Sequence, residues 1–306
     1  MRSRWACFSS CALLLAVGAS AVAQPLRVVT LHSVLTEVAR EIGGDSVEVK
    51  ALVRPGVDPH IFEPTPADIR TLEEAEIVLA AGLGLESYLP RIARELPNGI
   101  VVSTGDRLPD DLKLACSDHA HATTSPAMDH RHGEIDPHWW QGIEPMIAVT
   151  RIVEAEFIQK RPAQSHSFSR NAEAYRDRLR VLQEWARQEV AKLPVDRRLL
   201  VTSHDAFGYL AREHHFILYP ILGTNTATDT SAGQLAFIIA VVRRNHIKAV
   251  FAERTGNARL IQAVVRETGA SLAPPLCTDG LSLDPAFATY ESMMRSNLRI
   301  IVDALR

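Results

Sequence analysis
The chain is poor in cysteine, has no surplus of basic residues and, beyond its first two dozen positions, has no apolar run long enough to cross a bilayer. A spanning helix needs about 20 consecutive apolar residues. The rest of the chain therefore reads as an ordinary globular protein, with 46% apolar content. Lysine and arginine number 33 against 36 aspartate and glutamate, a net charge of −3. That balance argues against nucleic acid or an anionic membrane as the partner, since both are recognised through positive surface potential. A His-Glu-x-x-His helix is also lacking, which counts against a secreted zinc hydrolase built on that motif.

What is present begins at the amino terminus. Arg2 and Arg4 supply a positive start, residues 12–17 a short apolar core, and Ala21-Val22-Ala23 a small-residue cleavage site ahead of Gln24. Residues 1–23 are expected to be a signal peptide, with an apolar core too short to serve as a membrane anchor. Cys11 precedes the apolar run, whereas a lipid-attachment cysteine would follow it. The mature protein is expected to be soluble and periplasmic, beginning near Gln24. Without the two leader arginines, 31 basic residues face 36 acidic ones, a net charge of −5. The remaining length suffices for two domains of roughly 100–200 residues each. Two cysteines survive processing, Cys116 and Cys277. An even count in an oxidising compartment predicts a disulfide between them, with two separate buried thiols or thiolate ligands as the alternatives.

After the leader, short β-branched runs alternate with amphipathic stretches. Strands are expected at 26–30, 47–53, 77–81 and 100–103, with helices at 33–42 and 65–75, the second opened by Thr65-Pro66-Ala67-Asp68. The rhythm restarts at 199–202 and continues with strands at 216–221, 247–251 and 271–276 between helices at 206–213, 231–245, 257–268 and 290–305. Such alternation implies parallel strands with helical crossovers. Between the two series lie helices at 145–158 and 167–193. In the latter, Tyr175, Leu179, Leu182, Ala186 and Val190 form one apolar stripe at spacings of three and four. The expected fold class is α/β: two similar lobes with parallel sheets, bridged by one long rigid helix, with a site in the cleft between them. The lobes are placed at 24–164 and 195–306 and the linking helix at 165–194.

Four candidate metal ligands fall on four separate loops: His60 after Asp58-Pro59, His138 after Asp136-Pro137, His204 in Thr202-Ser203-His204-Asp205, and Asp279 in Thr278-Asp279-Gly280. In parallel α/β sheets, sites form beyond the carboxyl ends of the strands, where His60, His204 and Asp279 emerge. Imidazole nitrogens with one carboxylate oxygen suit a borderline cation such as Zn²⁺. Glu253, just past the 247–251 strand, competes with Asp279 for the fourth position, and water is a third choice. His32 follows the first strand and borders the same cleft. Glu63 or Asp205 would suit a carboxylate that orients a ligating ring, and Trp139 and Trp140 would wall the site. The polar loop 116–136 carries two further pairs, His119 with His121 and His130 with His132. These are either weak auxiliary metal sites, a docking point for a periplasmic metal donor, or simply a solvated loop.

The segments Pro55-Gly56-Val57-Asp58-Pro59-His60, Asp136-Pro137-His138-Trp139-Trp140, Ser203-His204-Asp205-Ala206-Phe207-Gly208-Tyr209 and Thr278-Asp279-Gly280-Leu281-Ser282 resemble, in order, the four ligand segments of the zinc- and manganese-binding solute-binding proteins of ABC transporters, called cluster A-I. The resemblance implies a monomeric carrier that binds one ion between its lobes and delivers it to an ABC permease in the inner membrane. A histidine at the third position, His204, is similar to the zinc branch; a manganese-specific carrier is the alternative within the family. Trp140-Gln141 departs from the leucine-aspartate often found there, so no role can be carried over to Gln141. From other classes, the rivals are a secreted zinc hydrolase and an adhesin on the same scaffold.

Overall fold
The computed structural model describes residues 24–97, 100–116, 135–224, 226, 230–255 and 258–306. The expected signal peptide at 1–23, and His119, His121, His130 and His132, lie outside the described residues.

Two four-stranded, wholly parallel sheets carry the fold. The first comprises β1 (Leu26–Thr30), β2 (Val47–Ala51), β3 (Ile77–Ala80) and β4 (Val101–Ser103), ordered β2-β1-β3-β4. The second comprises β5 (Leu199–Thr202), β6 (Ile217–Pro220), β7 (Ala249–Glu253) and β8 (Ser271–Leu276), ordered β6-β5-β7-β8. The two orders are the same, so the lobes repeat one plan. Pro274 and Pro275 are tolerated in β8 because it is an edge strand. Several boundaries differ by one to two residues from the sequence reading, and one bears on the site: β7 runs on to Glu253, which is therefore its last residue and buried.

The helices of the first lobe are α1 (Ser33–Gly43), α2 (Pro66–Glu73), α3 (Leu89–Ile92) and α4 (Ile143–Lys160). Then come α5 (Ser165–Ala191) and, in the second lobe, α6 (Gly208–His214), α7 (Ala232–Arg244), α8 (Arg259–Thr268) and α9 (Tyr290–Leu305). The Thr-Pro-Ala-Asp signature does start α2: Thr65 and Asp68 form a reciprocal capping box with Pro66 in the first turn.

Helix α5 has 27 residues, a length of about 40 Å at 1.5 Å per residue. Its stripe of Tyr175, Leu179, Leu182, Ala186 and Val190 is buried, against α1 and α4 of the first lobe and α9 of the second. The largest apolar cluster accordingly runs without a break from Leu26 and Val28 through Leu179 and Leu182 to Leu298 and Ile301. Smaller clusters lie on the outer faces of each sheet. The lobes thus share one core and are not two bodies on a flexible tether.

Two carboxylates reinforce that union in a crossed fashion. Glu37 of α1 accepts from the Tyr175 hydroxyl at 2.8 Å and from the backbone N–H of Tyr290, at the start of α9, at 2.8 Å. Glu213 of α6 accepts from the N–H groups of Ile143 and Glu144, at the start of α4, at 3.1 and 3.0 Å. Each lobe therefore places an acid at a helix N-terminus of the other, where the exposed N–H groups and the helix dipole favour negative charge. Burial pushes both carboxyl pKa values up, and these N–H bonds oppose the rise.

Candidate metal centre
All four candidate segments converge between the lobes. His60 Nε2, His138 Nε2, His204 Nε2 and Asp279 Oδ1 form a group whose ligand atoms lie within 4.8 Å of one another. His60 Nε2 is 3.1 Å from His138 Nε2, and Asp279 Oδ1 is 3.2 Å from His204 Nε2, 3.7 Å from His60 Nε2 and 3.9 Å from His138 Nε2. Donors about 2.0–2.1 Å from a tetrahedral ion are separated by about 3.3 Å, so small adjustments would bring these four around one cation. His204 Nε2 and Asp279 Oδ1 are buried and face only the other members of this group. A cation between them would satisfy all four buried acceptor atoms at once.

Two of the three rings, those of His138 and His204, are aimed from behind by a carboxylate. Asp58 and Asp136 both stand two residues before a histidine and accept its backbone N–H, His60 N at 2.9 Å and His138 N at 2.9 Å. These are side-chain turns of the kind aspartate favours. Asp136 Oδ1 also takes His138 Nδ1 at 2.7 Å, which turns Nε2 toward the site. Asp58 instead uses Oδ2 to accept from Thr226 Oγ1 of the second lobe at 2.9 Å, anchoring the His60 loop across the cleft. His204 gives its N–H to Glu253 Oε1 at 3.0 Å and its Nδ1 contacts Glu253 Oε2. Carboxylates in these places fix the tautomer and raise the basicity of the ring.

Glu253, weighed as an alternative ligand, therefore stands behind a ligand candidate with both oxygens engaged. The carboxylates behind the rings are Asp136 and Glu253, not the two nominated from sequence. Glu63 is 70% exposed and lies 3.9 Å from Arg91, away from the site. Asp205 is buried, with its N–H on Gly223 O, and it is Glu253 that takes the Nδ1 of His204.

Burial disfavours charge on His204, but the Glu253 and Asp279 carboxylates outweigh it and hold its pKa well above the usual range. Asp279 is driven well below the ordinary carboxylate range: desolvation opposes this, and His204 and His60 overcome it. His138 goes down through burial, with Asp136 acting in the opposite direction. The cluster is thus an alternation of anions and imidazoles, suited to a cation.

Trp139 and Trp140 are fully buried. The Trp140 ring lies 5.3 Å from that of His138 and 4.1 Å from that of His32. His32 is the first lobe's counterpart of His204: Thr30-Leu31-His32 ends β1 as Thr202-Ser203-His204 ends β5. It stays out of the four-residue group because its Nδ1 caps α1, accepting Val34 N at 3.3 Å, while its ring packs on Trp140. Burial pushes its pKa down to about 3, so it is a neutral wall of the site.

The disulfide expected between Cys116 and Cys277 is not present. Cys277 follows β8, fixed by Asn297 Oδ1 on its N–H, and its thiol donates to Gly280 O at 3.0 Å. Cys116 instead follows the bridge between Ala115 and Ile135, near Tyr209. Neither sulfur belongs to the metal-ligand group.

The family model described as "ZnuA: Zinc-uptake complex component A periplasmic" matches residues 28–304. The manganese-binding lipoprotein MntA of Bacillus subtilis is 30% identical over 290 residues, covering 92% of this chain and 90% of that protein. The zinc-binding protein TroA of Treponema pallidum is 28% identical over 294 residues, covering 94% and 91%. The solved structure of periplasmic zinc-binding protein TroA superimposes with a TM-score of 0.82 at 26% identity, covering 92% of this chain and 99% of that one.

Proposed function
We propose, since the chain belongs to the family of periplasmic zinc-uptake components, that it captures Zn²⁺ through His60, His138, His204 and Asp279 and hands it to an ABC permease in the inner membrane. Its coarser role, a metal-binding substrate-binding protein of an ABC transporter, follows from the family and from its relatives. The observation that carries the finer reading is the donor set: three imidazole nitrogens and one carboxylate oxygen, gathered within 4.8 Å. Nitrogen-rich ligation at four positions suits zinc, whereas manganese favours oxygen donors and a larger shell. A manganese carrier is the competing reading, and the name of the Bacillus subtilis relative favours it.

Catalysis is not part of the proposal. A hydrolytic zinc site leaves one position open for water, whereas here four protein donors converge. The carboxylates nearest to serving as a general base, Glu253 and Asp136, are bonded to ligand rings. No helix among the described residues is long and apolar enough to cross a membrane. We place the carrier in the periplasm after removal of residues 1–23, and intact mass of the exported protein would distinguish a start at Gln24 from the lipid-modified start implied by the relatives named as lipoproteins.

The test is metal analysis of protein recovered from its native compartment, followed by competitive titration with Zn²⁺ and Mn²⁺. Zinc should be the metal recovered and should displace manganese. Recovery of manganese, with a preference for it in titration, would replace the zinc reading while leaving the transport role intact.

A further inference from the structure
Two and three positions after His138 stand Trp140 and Gln141, both fully buried. Their donors meet on one acceptor in the other lobe: Trp140 Nε1 and Gln141 Nε2 each donate to the carbonyl oxygen of Thr278 at 2.7 Å. A carbonyl oxygen has two lone pairs, so both are used, and the peptide leading into Asp279 is held on two sides. Gln141 Oε1 is buried without a partner. A buried amide with half its capacity unmet is unfavourable compared with an apolar side chain of the same shape, so packing alone does not account for glutamine here. The bond from Nε2 does.

The far side of Asp279 is fastened too. Gly280 has φ +136°, and a Cβ there would stand 2.4 Å from Ser33 Oγ. Leu281 donates its N–H to Ser33 Oγ at 2.8 Å, and its carbonyl accepts from Gly56 N at 2.8 Å. Ser33, Gly56, Trp140 and Gln141 all belong to the first lobe, which also carries His60 and His138. The Asp279 loop, though it follows β8, is therefore bolted to the body that bears two of the three rings. Within its side chain, Oδ2 accepts from Thr255 Oγ1 at 2.8 Å and Thr278 Oγ1 at 3.1 Å, so Oδ1 alone faces the histidines.

We propose that Trp140 and Gln141 are positioning residues that hold Asp279 in a one-oxygen binding mode and so favour zinc over manganese. A four-coordinate ion takes one atom from each donor. An ion that prefers more oxygens gains by drawing in the second carboxylate oxygen, which requires Oδ2 to leave the Thr255 and Thr278 hydroxyls. The double grip on the Thr278 carbonyl fixes the residue whose hydroxyl holds Oδ2 and the peptide that carries Asp279, and so resists that shift. This proposal rests on the four-ligand reading above and adds the source of selectivity to it.

The experiment uses mature full-length protein freed of metal, as wild type, Gln141→Met, Trp140→Phe and His204→Ala, titrated competitively with Zn²⁺ and Mn²⁺. Gln141→Met keeps side-chain length and removes the donor; Trp140→Phe keeps an aromatic ring and removes the indole N–H. In Gln141→Met the ratio of zinc to manganese affinity should fall about tenfold, equivalent to about 1.4 kcal/mol, the scale of one net hydrogen bond. Trp140→Phe should move it in the same direction. The Co²⁺-loaded protein should lose intensity in its visible tetrahedral bands, which a loss of stability alone would not cause. A ratio within about twofold of wild type, or equal weakening for both ions, overturns the proposal, and Trp140→Phe decides the matter if Gln141→Met does not fold. His204→Ala should abolish binding of both ions. If it binds them as wild type does, the four-ligand reading itself has failed, which is a different result from an unchanged ratio.

Discussion

Replacing Glu253 by glutamine tests whether the carboxylate behind His204 prepares that ring for metal. In the folded protein, Glu253 Oε1 accepts His204 N at 3.0 Å and Oε2 faces His204 Nδ1. Both positions call for an acceptor, and glutamine has only one oxygen. If its oxygen faces Nδ1, the amide NH₂ points at the backbone N–H of His204, donor against donor. If its NH₂ faces Nδ1, the ring must accept there and carry its proton on Nε2, the atom required by the ion. Either arrangement penalises binding, and the loss of negative charge lowers the basicity of the ring as well. Partners of this kind are worth about 10–100-fold in metal affinity, or about 1.4–2.7 kcal/mol. Competition against a chromophoric chelator at neutral pH would measure it. Zinc affinity unchanged within about twofold, in a variant that unfolds at the wild-type urea midpoint, would refute the argument that Glu253 orients His204.

Further expectations concern stability. Burial, followed by Arg198, Arg187 and His215, lowers the pKa of His214 to about 4. As pH falls from 6.5 toward 4, the unfolded chain takes up a proton that the folded one refuses, so stability is lost across that window by on the order of 3 kcal/mol. His214→Phe should flatten urea midpoints between pH 6.5 and 4; an unchanged slope would exclude His214 as the cause. Glu37→Ala removes a buried acceptor from Tyr175 and Tyr290 and should cost about 1–3 kcal/mol by urea unfolding, with no loss if the two donors find water. Reducing agent should leave Tm unchanged, since Cys116 and Cys277 are not bonded to each other; a drop in Tm on reduction would restore the disulfide.

Much of the site is legible in the sequence because its residues sit where packing cannot explain them. His60, His204 and Asp279 stand on the loops that follow expected strands, and Asp-Pro precedes two of the rings. The partners behind the rings are harder to read. Asp136 lies in plain view two residues before His138, yet the same spacing occurs at Asp58, which bonds Thr226 instead of its ring. Glu253 looks like a loop residue because the apolar run falters at Ala252; pairing of Glu253 with Leu276 across a register shift extends β7 and buries it. Cysteine parity suggests a bond, but parity carries no distance, and the Gly280 carbonyl already occupies the Cys277 thiol. The union of Glu37 with Tyr290, 253 positions apart, has no local signature. Such contacts are set by the shared core around α5.

The most direct test of the account is the coordination of zinc in the loaded protein, determined by anomalous diffraction together with X-ray absorption at the zinc edge. One ion should be found between the lobes, bound by Nε2 of His60, His138 and His204 and by one oxygen of Asp279. An ion held elsewhere, a sulfur neighbour, or a shell that omits two or more of these four residues would contradict it.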